Sequence, residues 1–183
     1  KDGTDSAEWS KSYTDQAGRT PLAVTSSGAT ATSTYNAFGQ MISQTDPDGV
    51  TALFAYDERG RLEITAEDLD RDGIIDYDGT DRISKTATTV SQREVDGENL
   101  VTLLTTIIAW TTDGDATTTA ELSRSESTTD GLHTWSSSEG LETHTTMAYA
   151  GNGNYTSTGT NSNGTSTENI VLGGRLRSIT SFD

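Results

Sequence analysis

The sequence predicts an all-β chain of stacked antiparallel β-hairpins, arranged as a repeat ribbon or solenoid, and three observations lead to that expectation. Hydrophobic residues make up only 31% of the 183 residues, and Thr, Ser and Gly fill most of the remainder. A tyrosine followed by a turn recurs about every 21 residues in the first part of the chain. Asp-Gly and Asn-Gly pairs then punctuate the rest.

Composition comes first. Thr is β-branched and favours a pleated surface, whereas Gly, Asn and Asp supply the positive φ angles that tight turns need. So little apolar material argues against a thick helical core. The competing reading is disorder, because low hydrophobicity with a formal net charge of -16 often leaves too little apolar surface to bury. Against it stand only 2 prolines and a set of aromatics placed at regular intervals.

The charge balance excludes partners. With 28 carboxylates against 12 Lys and Arg, phosphate backbones would be repelled, so nucleic acid is not expected and divalent cations are. The chain has no cysteine, which removes both disulfides and thiolate metal sites. The first residues lack the apolar run of a signal peptide, and no segment approaches the length of a membrane helix, so membrane insertion is not expected. The longest apolar stretch, Leu100 to Trp110, is interrupted by threonines and reads as strand.

The repeat is the second observation. Aligned segments stand at Tyr13-Thr14-Asp15-Gln16-Ala17-Gly18-Arg19, Tyr35-Asn36-Ala37-Phe38-Gly39-Gln40-Met41 and Tyr56-Asp57-Glu58-Arg59-Gly60-Arg61-Leu62. Each has an aromatic, an Asn or Asp, a Gly at the turn and then resumed alternation, which is the grammar of a hairpin. A second turn in each period, such as Asp46-Pro47-Asp48-Gly49, carries Pro and Gly at turn positions. A lone hairpin is marginal in water, so neighbouring units must stack.

These segments, most clearly over residues 30 to 66, resemble the YD repeat of the RHS family. The first unit departs from it, with Thr14 between Tyr13 and Asp15 and with Pro21 after the turn, and Asn36 stands in the second where the family has Asp. The resemblance implies a spiralling YD/RHS-type ribbon of hairpins, which in known members closes into a shell around a toxin domain. It also implies a large exported bacterial protein, extracellular or at the cell surface.

Between the repeats and the rest lies Asp68-Leu69-Asp70-Arg71-Asp72-Gly73-Ile74-Ile75-Asp76-Tyr77-Asp78-Gly79-Thr80-Asp81. Carboxylates at relative positions 1, 3, 5 and 9 with Gly at 6 resemble the loops that hold Ca²⁺, an ion that takes six to eight hard oxygens. The expected ligands are Asp68, Asp70, Asp72, the carbonyl of Ile74 and Asp76. The usual bidentate Glu at position 12 is missing, Gly79 standing there, and the alternative is a solvated acidic linker.

Turn signals are the third observation. They recur at Asp96-Gly97, Asp113-Gly114-Asp115, Asp130-Gly131, Glu139-Gly140, Asn152-Gly153, Asn163-Gly164 and Gly173-Gly174, so strands are expected to continue. Tyr149 to Tyr155, Asn161 to Gly164 and Gly174-Arg175-Leu176 read as a degenerate YD unit. The expected organisation is hairpin repeats over 1–66, the acidic loop over 67–82, an extended inserted hairpin region over 83–147 and the degenerate unit over 148–183. The array begins and ends in mid-pattern, which predicts a longer polypeptide or pairing between copies through open strand edges.

Signals for catalysis are weak. His133 and His144 lack helical metal-pair spacing and read as surface strand positions; no Gly-x-Ser-x-Gly elbow selects a nucleophile, so no catalytic residue is expected. Trp9, Trp110 and Trp135 either fill the core or form a stacking platform for carbohydrate. Asn154-Tyr155-Thr156 and Asn163-Gly164-Thr165 have the form of glycosylation acceptors. The expected function is a non-enzymatic structural segment, a wall, rod or filament stiffened by calcium, with a carbohydrate- or cell-surface-binding module as the alternative.

Overall fold

The computed structural model describes residues 8–138 and 140–182. Fourteen strands pair with their sequence neighbours in one antiparallel sheet, in the order of the chain, and the described residues contain no helix. The all-β, hairpin-after-hairpin architecture expected from the sequence is therefore what the chain adopts. Two compact units divide it: one runs to Lys85 and takes in Ala109–Ala120, the other comprises Thr86–Ile108 and the chain from Glu121 onward.

The first unit begins with β1 (Ser10–Tyr13), β2 (Leu22–Thr25), β3 (Thr30–Tyr35), β4 (Met41–Thr45), β5 (Thr51–Tyr56) and β6 (Leu62–Asp68). The repeat works through its turns. At Asp57 the backbone N–H donates to the Arg61 carbonyl at 2.8 Å, and the Gly60 N–H donates back to the Asp57 carbonyl at 2.9 Å. This is a tight turn followed by a bulge whose Gly must take positive φ, and Gly60 has φ 77°. The same pair of bonds closes the turns that start at Asp15, Asn36 and Asp46.

The Asx side chain explains why that position is Asp or Asn. Oδ1 of Asp57 accepts the N–H groups of Arg59 (2.9 Å) and Arg61 (2.8 Å), two donors the turn would otherwise leave open. Asp15, Asn36 and Asp46 do the same for their own loops. The next residue position adds a second clamp: Arg19 and Arg61 donate Nε to the other carboxylate oxygen, and in the Asn36 turn the side-chain amide of Asn36 donates to Gln40 Oε1 instead. Asn36, a departure in the sequence pattern, is thus no departure in geometry.

Tyrosines and turn residues join one hairpin to the next. Tyr56 Oη donates to the Met41 carbonyl at 2.7 Å, and Tyr35 Oη reaches the Thr20 carbonyl at 3.4 Å, each spanning 15 residues. Gln40 Nε2 donates to the Gly60 carbonyl, tying one turn to its equivalent 20 residues on.

The core of this unit lies on one face of β5, β6 and β7 (Arg82–Val95). Register sets Leu53 opposite Ala66 and Ala66 opposite Ile83, so three apolar side chains form a row across the strands, with Ile64 beside them. The acidic loop between β6 and β7 covers that row with Ile75 and Tyr77, and Trp110, which ends β8 (Glu98–Trp110), completes it.

The second unit takes the remainder of β7 and β8, then β9 (Thr119–Thr128), β10 (His133–Ser138), β11 (Leu141–Gly151), β12 (Asn154–Asn161), β13 (Ser166–Leu172) and β14 (Arg175–Phe182). Its hairpins turn at the Asx-Gly and Gly-Gly positions anticipated from the sequence. Asp96 and Asn152 have positive φ together with the glycines that follow them, the backbone of two-residue hairpin loops. Its interior is more polar: Trp135 and Val171 are buried, and so are Thr102, Glu126 and Thr128.

Candidate functional site

The acidic loop is anchored by two buried carboxylates, Asp68 at 5% exposure and Asp81 at 8%. Each spends both oxygens on backbone amides. Asp68 Oδ1 accepts Arg71 N–H at 2.7 Å and Oδ2 accepts Gly73 N–H at 3.1 Å; Asp81 takes Leu69 N–H at 3.0 Å and Asp76 N–H at 3.2 Å. Arg71 and Gly73 both adopt positive φ, which curls the chain tightly enough for these bonds.

The carboxylates of Asp68, Asp70 and Asp81 converge, one oxygen of each lying within 4.8 Å of the others. Of the ligands expected from the sequence, Asp68 and Asp70 therefore come together. Asp72 instead caps its own loop by accepting Ile74 N–H at 2.7 Å. Ile74 is exposed, its side chain in solvent while that of Ile75 enters the core. Asp76 faces Asp78, and the hydrogen bond between these carboxyls, with burial and the Asp78 charge, raises the Asp76 pKa. Gly79 lies so close to Asp76 that a Cβ there would sit 2.5 Å from its Oδ2.

Asp81 is the member that the twelve-residue template missed. It stands two residues past the position where the template looks for Glu, and the signal was simply one more acid at the loop's end. Carboxylate oxygens each offer two acceptor positions, so Asp68 and Asp81 keep capacity beyond the amides they bind. Three converging carboxylates can take a hard divalent cation, with loop carbonyls and water completing its shell.

A second constellation was not visible in the sequence. In the second unit Glu126, only 2% exposed, accepts Thr102 Oγ1 at 2.6 Å and Arg93 Nη1 at 3.1 Å. Arg93 also donates Nη2 to Glu142 at 2.9 Å, and its guanidinium lies over the Trp135 ring at 4.4 Å. Burial pushes the Glu126 carboxyl up, but the bonds from Thr102 and Arg93 and the charges of Arg93 and Arg124 outweigh it and leave the pKa lowered.

The histidines are not independent surface residues. They sit half-buried on β10 and β11, with His133 Nδ1 and His144 Nε2 3.3 Å apart. The tryptophans do not present alike: Trp135 is 4% exposed and Trp9 47%, while Trp110 is half-buried against Tyr77. Asn154 Oδ1 is engaged by Gly173 N–H, and Asn163 Oδ1 by Thr165.

Comparison with known proteins agrees with the turn geometry. No curated protein matches the chain. Residues 35–73 match the family model described as RHS Repeat, a span running from Tyr35 through the Asn36, Asp46 and Asp57 turns into the acidic loop. The Asx-capped, Gly-bulged turns and the cross-hairpin tyrosine fall within that span, and over it the chain is similar to the RHS repeat.

Proposed function

We propose that the chain is a non-enzymatic structural segment of a larger exported or cell-surface RHS/YD-repeat protein, forming a section of wall, rod or filament. The observation that carries this reading is the set of ties between successive hairpins: Tyr56 to Met41, Tyr35 to Thr20, and Gln40 to Gly60. They spend the side chains of Tyr35, Gln40 and Tyr56 on holding neighbouring hairpins together. Among the described residues β1 and β14 are the edge strands of the sheet, where further strands can pair, from the same polypeptide or from another copy.

Calcium has a place in the same reading, at Asp68, Asp70 and Asp81. A cation there would neutralise part of a dense negative cluster and fasten the loop that covers Leu53, Ala66 and Ile83. The test is thermal unfolding with calcium and with chelator, on the wild type and on Asp70→Ala, with particle size followed by light scattering and electron microscopy. A calcium-dependent rise in Tm that disappears in the variant supports the stiffened scaffold. An unchanged Tm removes calcium from the reading, and only monomers with hydrolytic or transferase activity would remove the scaffold.

A further inference from the structure

His133 and His144 are diagonal neighbours across one hairpin. The register of β10 and β11 sets Trp135 opposite His144 and His133 opposite Thr146. Side chains alternate along a strand, so His133 and Trp135 share a face of β10, and His144 lies on the same face of β11. The two ring nitrogens that meet, Nδ1 of His133 and Nε2 of His144, are 3.3 Å apart.

The rings are held in that relation. Trp135 stacks on His144 with centroids 4.6 Å apart and planes within 10°, and on His133 at 5.8 Å and 12°. The indole is itself buried, with the Arg93 guanidinium against it and that guanidinium fixed by Glu126 and Glu142. Neither imidazole can swing away without unstacking from Trp135.

We propose that His133 and His144 form a chelating pair for one imidazole-preferring divalent transition-metal ion, with Cu²⁺, Ni²⁺ and Zn²⁺ as the candidates. A tetrahedral ion bonded to two imidazole nitrogens at about 2.05 Å holds them about 3.3 Å apart. The pair already stands at 3.3 Å, the separation such an ion requires. Among divalent ions Cu²⁺ binds nitrogen ligands most tightly. Among the described residues no third carboxylate or imidazole atom joins the pair, so water completes the shell and the affinity falls below that of a closed structural zinc site.

In the absence of metal one facing nitrogen carries a proton and donates it to the other. Binding needs both lone pairs, so that ring changes tautomer: its proton leaves the facing nitrogen, another is taken up from water at the outer nitrogen, and the net charge of the pair is unchanged. Burial first, then the charges of His133 and Arg93, hold His144 below the usual imidazole range, against smaller opposing effects of Glu142 and Asp96. Asp130, in the turn before β10, faces His133 with negative charge.

The experiment titrates the full chain calorimetrically with CuCl₂, NiCl₂ and ZnCl₂ at neutral pH, alongside His133→Gln, His144→Gln and Asp70→Asn, with circular dichroism as the check on folding. The expected result is one ion bound at the histidine pair, its affinity weakened at least about tenfold in each histidine variant, with any separate uptake at the carboxylate cluster identified by its loss in Asp70→Asn. Cu²⁺ should also quench the fluorescence of Trp135, whose ring lies 4.6 Å from that of His144, and Trp135→Phe should remove the quenched component. No uptake, uptake unaltered in both histidine variants, or uptake by the wild type without tryptophan quenching each overturns the proposal. The quenching measurement needs no histidine variant, so it decides even if those variants fail to fold.

Discussion

Tyr56 donates its phenolic hydrogen to the carbonyl of Met41 across a hairpin boundary, at 2.7 Å. The tyrosine at the head of one repeat is thus a fastener for the repeat before it, which gives the recurring spacing of the motif within this chain a mechanical meaning. Its ring remains in place if only the hydroxyl is removed. Tyr56→Phe is expected to lower the stability of the first unit by about 1 kcal/mol, the net worth of a typical protein hydrogen bond. Tyr35→Phe is expected to cost less, because its bond to Thr20 is longer at 3.4 Å. Urea unfolding of the two variants checks both the loss and its order.

The turn aspartates make acid sensitivity predictable. The Arg61 backbone N–H, ahead of burial and the Arg61 side chain, sets the lowered pKa of Asp57, and the Arg19 N–H does the same for Asp15. In the loop before β9, Thr117 and Thr118 lower Asp115 from the usual 3.8 to about 2. A depressed folded pKa means that the stabilisation is present above the unfolded value and is lost as pH falls through the folded one. For Asp115 that window lies between 3.8 and about 2. Asp57→Asn, which preserves the Oδ1 acceptor as Asn36 does, is expected to fold at neutral pH and to lose less stability than wild type on acidification. Asp57→Ala, which abandons two amides, is expected to be the less stable variant at every pH. Thermal scans across pH 2 to 7 check the prediction.

What the sequence made legible was what is local. The Asx residue and the Gly three places on determine each turn between neighbours in sequence, so the hairpins around Asn36, Asp46 and Asp57 could be read directly. The loop's acids were equally visible, but not which of them converge. Asp81 joins Asp68 because it accepts the Leu69 and Asp76 amides, and Ile75 rather than Ile74 turns inward because the loop lies on Leu53 and Ile83. Arg93 meeting Glu142, 49 residues away, depends on the register and curl of several strands, and no short pattern encodes that.

Asp76 responds to pH in the opposite sense. Its pKa is raised chiefly by the hydrogen bond to Asp78, with burial and the Asp78 charge adding to it. A carboxyl with a raised folded pKa favours the fold below its unfolded value, and that contribution is lost as pH rises through the folded pKa. At neutral pH the two ionised carboxylates repel. Asp76→Asn keeps a donor for Asp78 without the charge and is expected to raise Tm at pH 7 by a small amount, with the gain vanishing as pH falls through the raised Asp76 pKa. Asp68→Asn is expected to lower Tm instead, because it replaces an acceptor of two amides with a group that has only one acceptor oxygen.

The largest single effect is expected at Glu126. Its carboxylate is buried and is answered by Thr102 and by Arg93, which reaches Glu142 as well. Removing one partner of such a pair leaves the other desolvated without compensation, a loss of about 3 kcal/mol when the partner is itself partly exposed, as Arg93 is. Glu126→Ala strands both the Thr102 hydroxyl and the Arg93 guanidinium, and it frees Arg93 to leave Trp135. Glu126→Gln keeps the acceptor for Thr102 and the volume but loses the charge, so it is expected to fall between wild type and alanine. Urea unfolding followed by tryptophan fluorescence measures this order, and the near-ultraviolet signal of Trp135 should change in step with the loss of Arg93 from its ring. A variant with alanine at 126 that is as stable as wild type would mean that the network is dispensable and that Trp135 alone organises the interior of the second unit.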